Sequence, residues 1–346
     1  MSSLHADLRD RINTRERLKL EKPAVYKKLI KIDDMTSRGE QVPPNIEIAY
    51  RYDCNIHCDH CFATNIGDIT GKVKKKDRSL SLDDLREISR QANEMGVFQY
   101  ILQGGEPLFW PDFEDVVDAL NPKEFYIGLV TNGILLNRQK IFHLREIGID
   151  KIVMSLDAYH PTKDSRTVEM LNYAKEAGLR AVINTVATTY NVKSPQFLDL
   201  VKFAQKNDFV LYVNGAAPIG EWAGKTEFVL SDDDRKYLFD LSKKYDVVRR
   251  DSNPYQGEFV GCPAFRETIY ITEFGDVTPC AFLHMRAGDI WEMPISEIIK
   301  KALTYDVLKE RPKKCLSCDD KEFIENYMPK MCGDDSPPHM DKLFNS

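Results

Sequence analysis

Several things that would place a chain outside the ordinary enzymes are missing from these 346 residues. No run approaches the ~20 consecutive apolar residues a bilayer-spanning helix needs, so no membrane partner is expected. The opening residues, Met1-Ser2-Ser3-Leu4-His5-Ala6-Asp7, reach charge at once and lack the apolar core of a secretory signal, which makes the cytoplasm the expected compartment. Positive charge is not in excess. Lys plus Arg is 48 against 54 for Asp plus Glu, a net charge of −6, without the basic footprint of a nucleic-acid binder. Hydrophobic residues at 42% and charged residues at 29% exclude a disordered or collagen-like chain. Low-complexity tracts are also absent.

What is present is a cadence of apolar runs and helix-like stretches. Runs at Ile46 to Tyr52, Phe98 to Gln103, Phe125 to Thr131, Lys151 to Ser155, Arg180 to Thr185 and Phe209 to Asn214 have strand character. From the second onward their carboxyl ends step by 28, 24, 30 and 29 residues, from 103 to 131, 155, 185 and 214. That spacing suits one βα unit per step and predicts an α/β fold, a partial (β/α)6 TIM barrel, with an open doubly wound sheet as the alternative. In either, the carboxyl edge of the strands is the working end. Ser81 and Asp84 predict a capping box ahead of an apolar stripe at Leu82, Leu85, Ile88, Ala92 and Met95. The expected organisation is a helical extension over 1–45, the barrel over 46–228, and a Cys-, Gly- and Pro-punctuated domain over 229–346. A hairpin is expected from Ile269-Tyr270-Ile271 to Asp276-Val277-Thr278.

Eight cysteines stand at 54, 58, 61, 262, 280, 315, 318 and 332. A disulfide framework belongs to small secreted chains, so clustered thiols here point to metal or chemistry. Cys54, Cys58 and Cys61 fall in one loop after the first strand. Three thiolates match three corners of a 4Fe–4S cube and leave one iron open, whereas a closed zinc site would need His57 or His60 as a fourth ligand. The second group, Cys262, Cys280, Cys315 and Cys318, suits a zinc ribbon as well as an iron–sulfur cluster.

Cys54-x3-Cys58-x2-Cys61 resembles the signature of radical S-adenosylmethionine (SAM) enzymes. Gln103-Gly104-Gly105-Glu106-Pro107, Thr131-Asn132-Gly133 and Ser155-Leu156-Asp157 match that family's later motifs, each at a strand's carboxyl end. The resemblance implies a 4Fe–4S cluster on Cys54, Cys58 and Cys61 that chelates SAM and cleaves it reductively to a 5′-deoxyadenosyl radical, which takes a hydrogen atom from substrate. It implies Gly104, Gly105 and Glu106 for the SAM amino group, and Arg166 for its carboxylate. Asn132 and Ser155 would meet its carboxylate and ribose. Where the family often places an aromatic residue against adenine, this chain has His60.

The row from Gly261-Cys262-Pro263-Ala264-Phe265-Arg266 through Gly275 to Pro279-Cys280 resembles the start of a SPASM domain. With five cysteines in the region, the shorter Twitch form is implied, with one auxiliary 4Fe–4S cluster on Cys262, Cys280, Cys315 and Cys318. Cys332 is then a replacement ligand, a bystander, or a thiol that returns hydrogen to substrate. The expected reaction is a net two-electron oxidation of a sugar, cyclitol or cofactor precursor, fed by flavodoxin or ferredoxin. Peptide maturation, or epimerisation through Cys332, is the alternative, and a zinc-stabilised binding protein the outside one. Tyr159, His160, Trp110, Trp222 and Trp291 are candidate pocket aromatics.

Overall fold

The computed structural model describes residues 6–67, 77–156, 165–250, 261–333 and 335–344. Among the described residues ten strands form one sheet: β1 (Asn45–Ala49), β2 (Gln99–Gln103), β3 (Tyr126–Thr131), β4 (Ile149–Ser155), β5 (Arg180–Ala187), β6 (Val210–Gly215), β7 (Val248–Arg250), β8 (Thr268–Ile271), β9 (Asp276–Thr278) and β10 (Gly288–Asp289). Their order is β10-β9-β8-β1-β2-β3-β4-β5-β6-β7. Every pair from β8 through β7 is parallel, and β9 and β10 add an antiparallel edge. The run does not close on itself, since β7 and β10 are its ends.

This parallel run is longer than the six strands read from the cadence. The βα alternation continues once more beyond residue 229, and β8 extends the sheet on the far side of β1. β7 carries no sequence signal, being only Val248-Arg249-Arg250 with no apolar run, and β8 is expected only as a hairpin strand, not as the neighbour of β1. The first strand stops at Ala49, three residues before the end read from its apolar run, as the chain turns into the cysteine loop. The expected hairpin forms, as β8 and β9.

Helices α1 (Ala6–Glu21) and α2 (Pro23–Ser37) precede the sheet, and α3 (Leu82–Met95), α4 (Phe113–Ala119), α5 (Arg138–Glu146), α6 (Ser165–Glu176), α7 (Pro195–Asn207) and α8 (Asp232–Lys244) alternate with its strands. The Ser81–Asp84 capping box starts α3, whose Leu85, Ile88 and Ala92 are buried. Side chains alternate across the strands as the pleat requires. Ile152 and Met154 of β4 join the main core under the helices, whereas Lys151, Val153 and Ser155 face an interior cavity.

The two leading helices are fastened to the sheet by a buried carboxylate. Asp150 at the start of β4 takes Lys22 Nζ at 2.6 Å, an Arg17 guanidinium nitrogen at 2.9 Å and the Ile127 backbone N–H at 2.9 Å. Among the described residues no helix is long and apolar enough to cross a membrane.

Candidate active site

The cysteine loop leaves the carboxyl end of β1, and the loop after β2 packs directly on it. Gly105 N–H donates to the Arg51 carbonyl at 3.3 Å and Glu106 N–H to that of Asp53 at 3.0 Å. A Cβ on Gly105 would stand 2.2 Å from the Asp53 oxygen and 2.3 Å from that of Tyr52, so only glycine allows this approach. Gly104, at φ +133°, is confined in the same way by Arg51 and Ala49.

Glu106 is 1% exposed and ties three loops together. Its carboxylate accepts the Thr131 hydroxyl at 2.7 Å, Asn132 N–H at 2.8 Å and Leu108 N–H at 3.2 Å. Burial raises its pKa, and those donors pull the other way. An ionised carboxylate has about four lone-pair sites, so capacity remains for one more donor. Asn132 in turn donates to Asn55 Oδ1 at 2.8 Å, inside the cysteine loop.

A third loop clamps the site from the far side of the sheet. After β6, Glu221 N–H donates to the Cys61 carbonyl at 2.9 Å. A Cβ on Gly220, at φ +62°, would meet that oxygen at 2.0 Å. Trp222 lies 5.7 Å from the His60 ring and stacks on Phe228 at 4.5 Å. Burial pushes the Cys61 thiol up to about 11, with the Ala63 N–H opposing. Ligation to iron would deprotonate it outright.

The second group of thiols converges in the buried wall. Cys262 and Cys318 both donate to Cys315, which holds its pKa well below the ordinary thiol range while theirs rise. Arg250, at the end of β7, reaches Cys318 Sγ at 3.7 Å and the Asp319 carboxylate at 2.9 and 3.0 Å. Cys280 is partly exposed to the cavity, and desolvation raises its pKa.

Both groups open on one cavity of about 740 Å³. Cys54, Cys58 and Cys61 line it together with Cys262, Cys280, Cys315 and Cys318, and so do His60, Gly104, Gly105, Glu106, Asn132 and Ser155. All eight cysteines are free thiols. Among the described residues no three His, Cys, Asp or Glu side chains gather about one point as a single ion requires. A donor set of thiols in two groups on a shared cavity suits iron–sulfur clusters, which are held by Cys thiolates.

Two expected residues are elsewhere. Arg166, at the start of α6, donates to the Leu136 carbonyl at 2.7 Å and is not among the cavity residues. Cys332 is absent from the lining too, and its thiol donates to the Met328 carbonyl at 3.4 Å. Of the aromatics, Trp222 lines the cavity. Trp110 packs edge-on against Tyr50, and Trp291 donates to Asp84. Asp157, Tyr159 and His160 lie outside the described residues. Sequence reasoning missed Asn55, the Gly220–Glu221 clamp and Arg250, whose contacts all come from distant segments. Only the glycine of the clamp was a visible signal.

Comparison with known proteins agrees with this layout. The Radical SAM superfamily matches residues 51–204, and SPASM, an iron–sulfur cluster-binding domain, matches 262–319. A GTP 3′,8-cyclase from Staphylococcus carnosus is 31% identical over 175 residues, 46% of this chain and only half the length of that relative. An AdoMet-dependent heme synthase from Methanosarcina barkeri is 22% identical over 309 residues, 78% of this chain and 86% of the relative. Streptococcus suis SuiB, solved bound to its precursor peptide SuiA, is similar at a TM-score of 0.57 and 20% identity, over 83% of this chain and 72% of SuiB. The anSMEcpe structure with bound AdoMet has a TM-score of 0.57 and 20% identity, over 85% and 86% of the two chains. At such identity the likeness to solved structures is one of fold. The matched domains bring 4Fe–4S clusters and SAM as cofactors, and the iron–sulfur domain at 262–319 replaces the zinc ribbon. The chain belongs to the radical SAM superfamily and carries a SPASM iron–sulfur cluster-binding domain behind its radical SAM region.

Proposed function

We propose that this enzyme removes two electrons and two hydrogens from a small molecule such as a sugar, cyclitol or cofactor precursor. The observation behind the reading is that both groups of cysteines line a single cavity. In it Cys54, Cys58 and Cys61 hold the SAM-binding cluster, while Cys262, Cys280, Cys315 and Cys318 hold one auxiliary cluster. Bound there and given one electron by an outside reductant, the first cluster and SAM would supply an alkyl radical that takes one hydrogen atom from an unactivated carbon. The auxiliary thiols hold an acceptor for the second electron, and the second hydrogen leaves as a proton to solvent.

The protein's part is placement and exclusion of water. Glu106, with a lone-pair site remaining, takes the SAM amino group, and the Gly104–Gly105 backbone sets its distance from the cysteine loop. Asn132 and Ser155 meet the carboxylate and ribose, and His60, backed by Trp222, packs on adenine. The barrel begins at residue 46 and takes in β7 at Val248–Arg250, past the expected end at 228, with the auxiliary-cluster region behind it and 1–45 as a helical extension. Epimerisation would need the Cys332 thiol at the cavity, and the position of Cys332 favours oxidation.

The test is anaerobic incubation with SAM, dithionite and candidate sugars or cyclitols. One 5′-deoxyadenosine per product molecule is expected, with product lighter by two hydrogens. A product of unchanged mass that has gained one solvent hydrogen would replace oxidation with epimerisation.

A further inference from the structure

We propose that Arg250 sets the reduction potential of the auxiliary cluster, holding it high enough to take the electron that the substrate radical gives up. The inference rests on the oxidation reading above, in which that radical loses one electron to the cluster and one proton to solvent. It names the residue that makes the transfer favourable. One guanidinium nitrogen of Arg250, Nη2, lies 3.7 Å from Cys318 Sγ and 2.9 and 3.0 Å from the two Asp319 carboxylate oxygens. That nitrogen carries two hydrogens, so one can point at sulfur while the carboxylate holds the other. The side chain is 18% exposed and lines the cavity together with Cys315 and Cys318.

The fold puts the arginine there by three means. Arg250 ends β7, in register with Val213 of β6. Further along β6 stands Gly215, where a Cβ would lie 3.2 Å from Cys318 Sγ. The bare glycine lets the auxiliary thiol settle against the strand end, within reach of the arginine on the neighbouring strand. Asp319 follows Cys318 directly, is buried, and is approached by Arg235 of α8 at 3.8 Å as well. Arg235 also donates to the Leu230 carbonyl at 2.5 Å and pairs with Asp232. Of these two arginines, Arg250 is the one that meets a thiol.

Reduction adds negative charge to a cluster held by thiolates, so a cation fixed against one ligand stabilises the reduced form more than the oxidised one. An N–H donated to a ligand sulfur acts in the same direction, and both are means by which a protein sets such a potential. Cys315, Cys318 and Asp319 are buried, so water screens the arginine little. Its charge bears on Cys315 as well as Cys318, whereas carboxylates bear on the first group, Glu106 on Cys54 and Glu221 on Cys61. The signs suit two duties, a strongly reducing centre that cleaves SAM and a more oxidising one that collects an electron. Asp319 offsets part of the arginine's field at Cys318, and Glu47 bears on Cys280. Removing Asp319 and removing Arg250 should therefore move the potential in opposite directions.

Redox titration of the anaerobic holoenzyme with SAM present, followed by electron paramagnetic resonance, tests this. SAM alters the signal of the first cluster, so the midpoint of the SAM-insensitive signal belongs to the auxiliary one. Arg250→Gln should disfavour its reduction tenfold or more, a midpoint lower by about 59 mV or more for one electron. Arg250→Lys, which keeps the charge, should fall between that variant and the wild type. Asp319→Asn should raise the midpoint, which loss of a merely structural contact would not do. A midpoint at or above the wild-type value in Arg250→Gln, or at or below it in Asp319→Asn, overturns the proposal. So does a wild type with no SAM-insensitive signal. Iron analysis identifies a variant that has lost the cluster, and the other variant then decides; loss of that iron in both makes the pair structural and overturns the proposal too. Potentials that move as expected beside a product of unchanged mass would instead sink the oxidation reading alone.

Discussion

Glu106 stands where three loops meet, and the residues around it show how little freedom the site has. The Gly105 backbone lies so close to Tyr52 and Asp53 that an added methyl has nowhere to go. Gly105→Ala should force the two loops apart at a cost of about 1–3 kcal/mol, the usual range for overpacking. The expected outcome is a lower melting temperature together with loss of iron from the first cluster and retention of the auxiliary one. Iron analysis beside a thermal scan checks this. His284 has a different consequence. It is fully buried, with Nε2 on the Ala281 carbonyl at 3.0 Å and Nδ1 unpartnered, and burial holds its pKa down to about 3. An unfolded histidine titrates near 6.5, so below that pH the unfolded chain binds a proton that the folded chain refuses. Stability therefore falls as pH drops from roughly 6.5 toward 3, by about 2 kcal/mol between pH 6.5 and 5 from this residue, and is indifferent to it above. Anaerobic urea titrations at pH 7 and pH 5 should show that extra loss in the wild type and not in His284→Gln.

At the scale of elements, the leading helices depend on one carboxylate. Lys22 and Arg17 reach Asp150 from the chain before the barrel, and Lys22 also donates to the Gly148 carbonyl at 2.8 Å. Asp150→Ala would leave a buried ammonium uncompensated, a loss of about 3–5 kcal/mol. Adding Lys22→Met should return part of it, as read from urea midpoints. Elements with a local signal were legible in the sequence. The Ser81–Asp84 box starts α3, and Arg180 to Thr185 falls inside β5. What escaped is a strand and a pairing that distant partners specify, β7 itself and the place of the expected β8 beside β1. β7 has two arginines among its three residues, and β8 finds β1 across more than 200 residues of chain. The same division holds in the site. Cys54, Cys58 and Cys61 share one loop and announce themselves by spacing. The Gly220–Glu221 clamp on the Cys61 carbonyl joins segments about 160 residues apart, and no local pattern records it.

Over the whole molecule, the two cysteine groups are joined by more than the cavity. Tyr52, just before Cys54, shares a 3.0 Å hydroxyl contact with Tyr270 of β8, and its N–H donates to Glu273 at 3.0 Å. The hairpin that leads to Cys280 is thus anchored on the loop that holds Cys54.

We propose that Cys54, Cys58 and Cys61 hold an iron–sulfur cluster with one corner open to SAM, in the cavity that the auxiliary thiols share. Electron paramagnetic resonance of dithionite-reduced, anaerobically reconstituted protein tests it most directly. The expected wild type holds about eight irons in two cubes and shows a signal that shifts when SAM is added. The triple variant Cys54→Ala/Cys58→Ala/Cys61→Ala should keep about four irons and lose the SAM-dependent shift. A shift that survives in that variant, or a wild type without one, would contradict the claim.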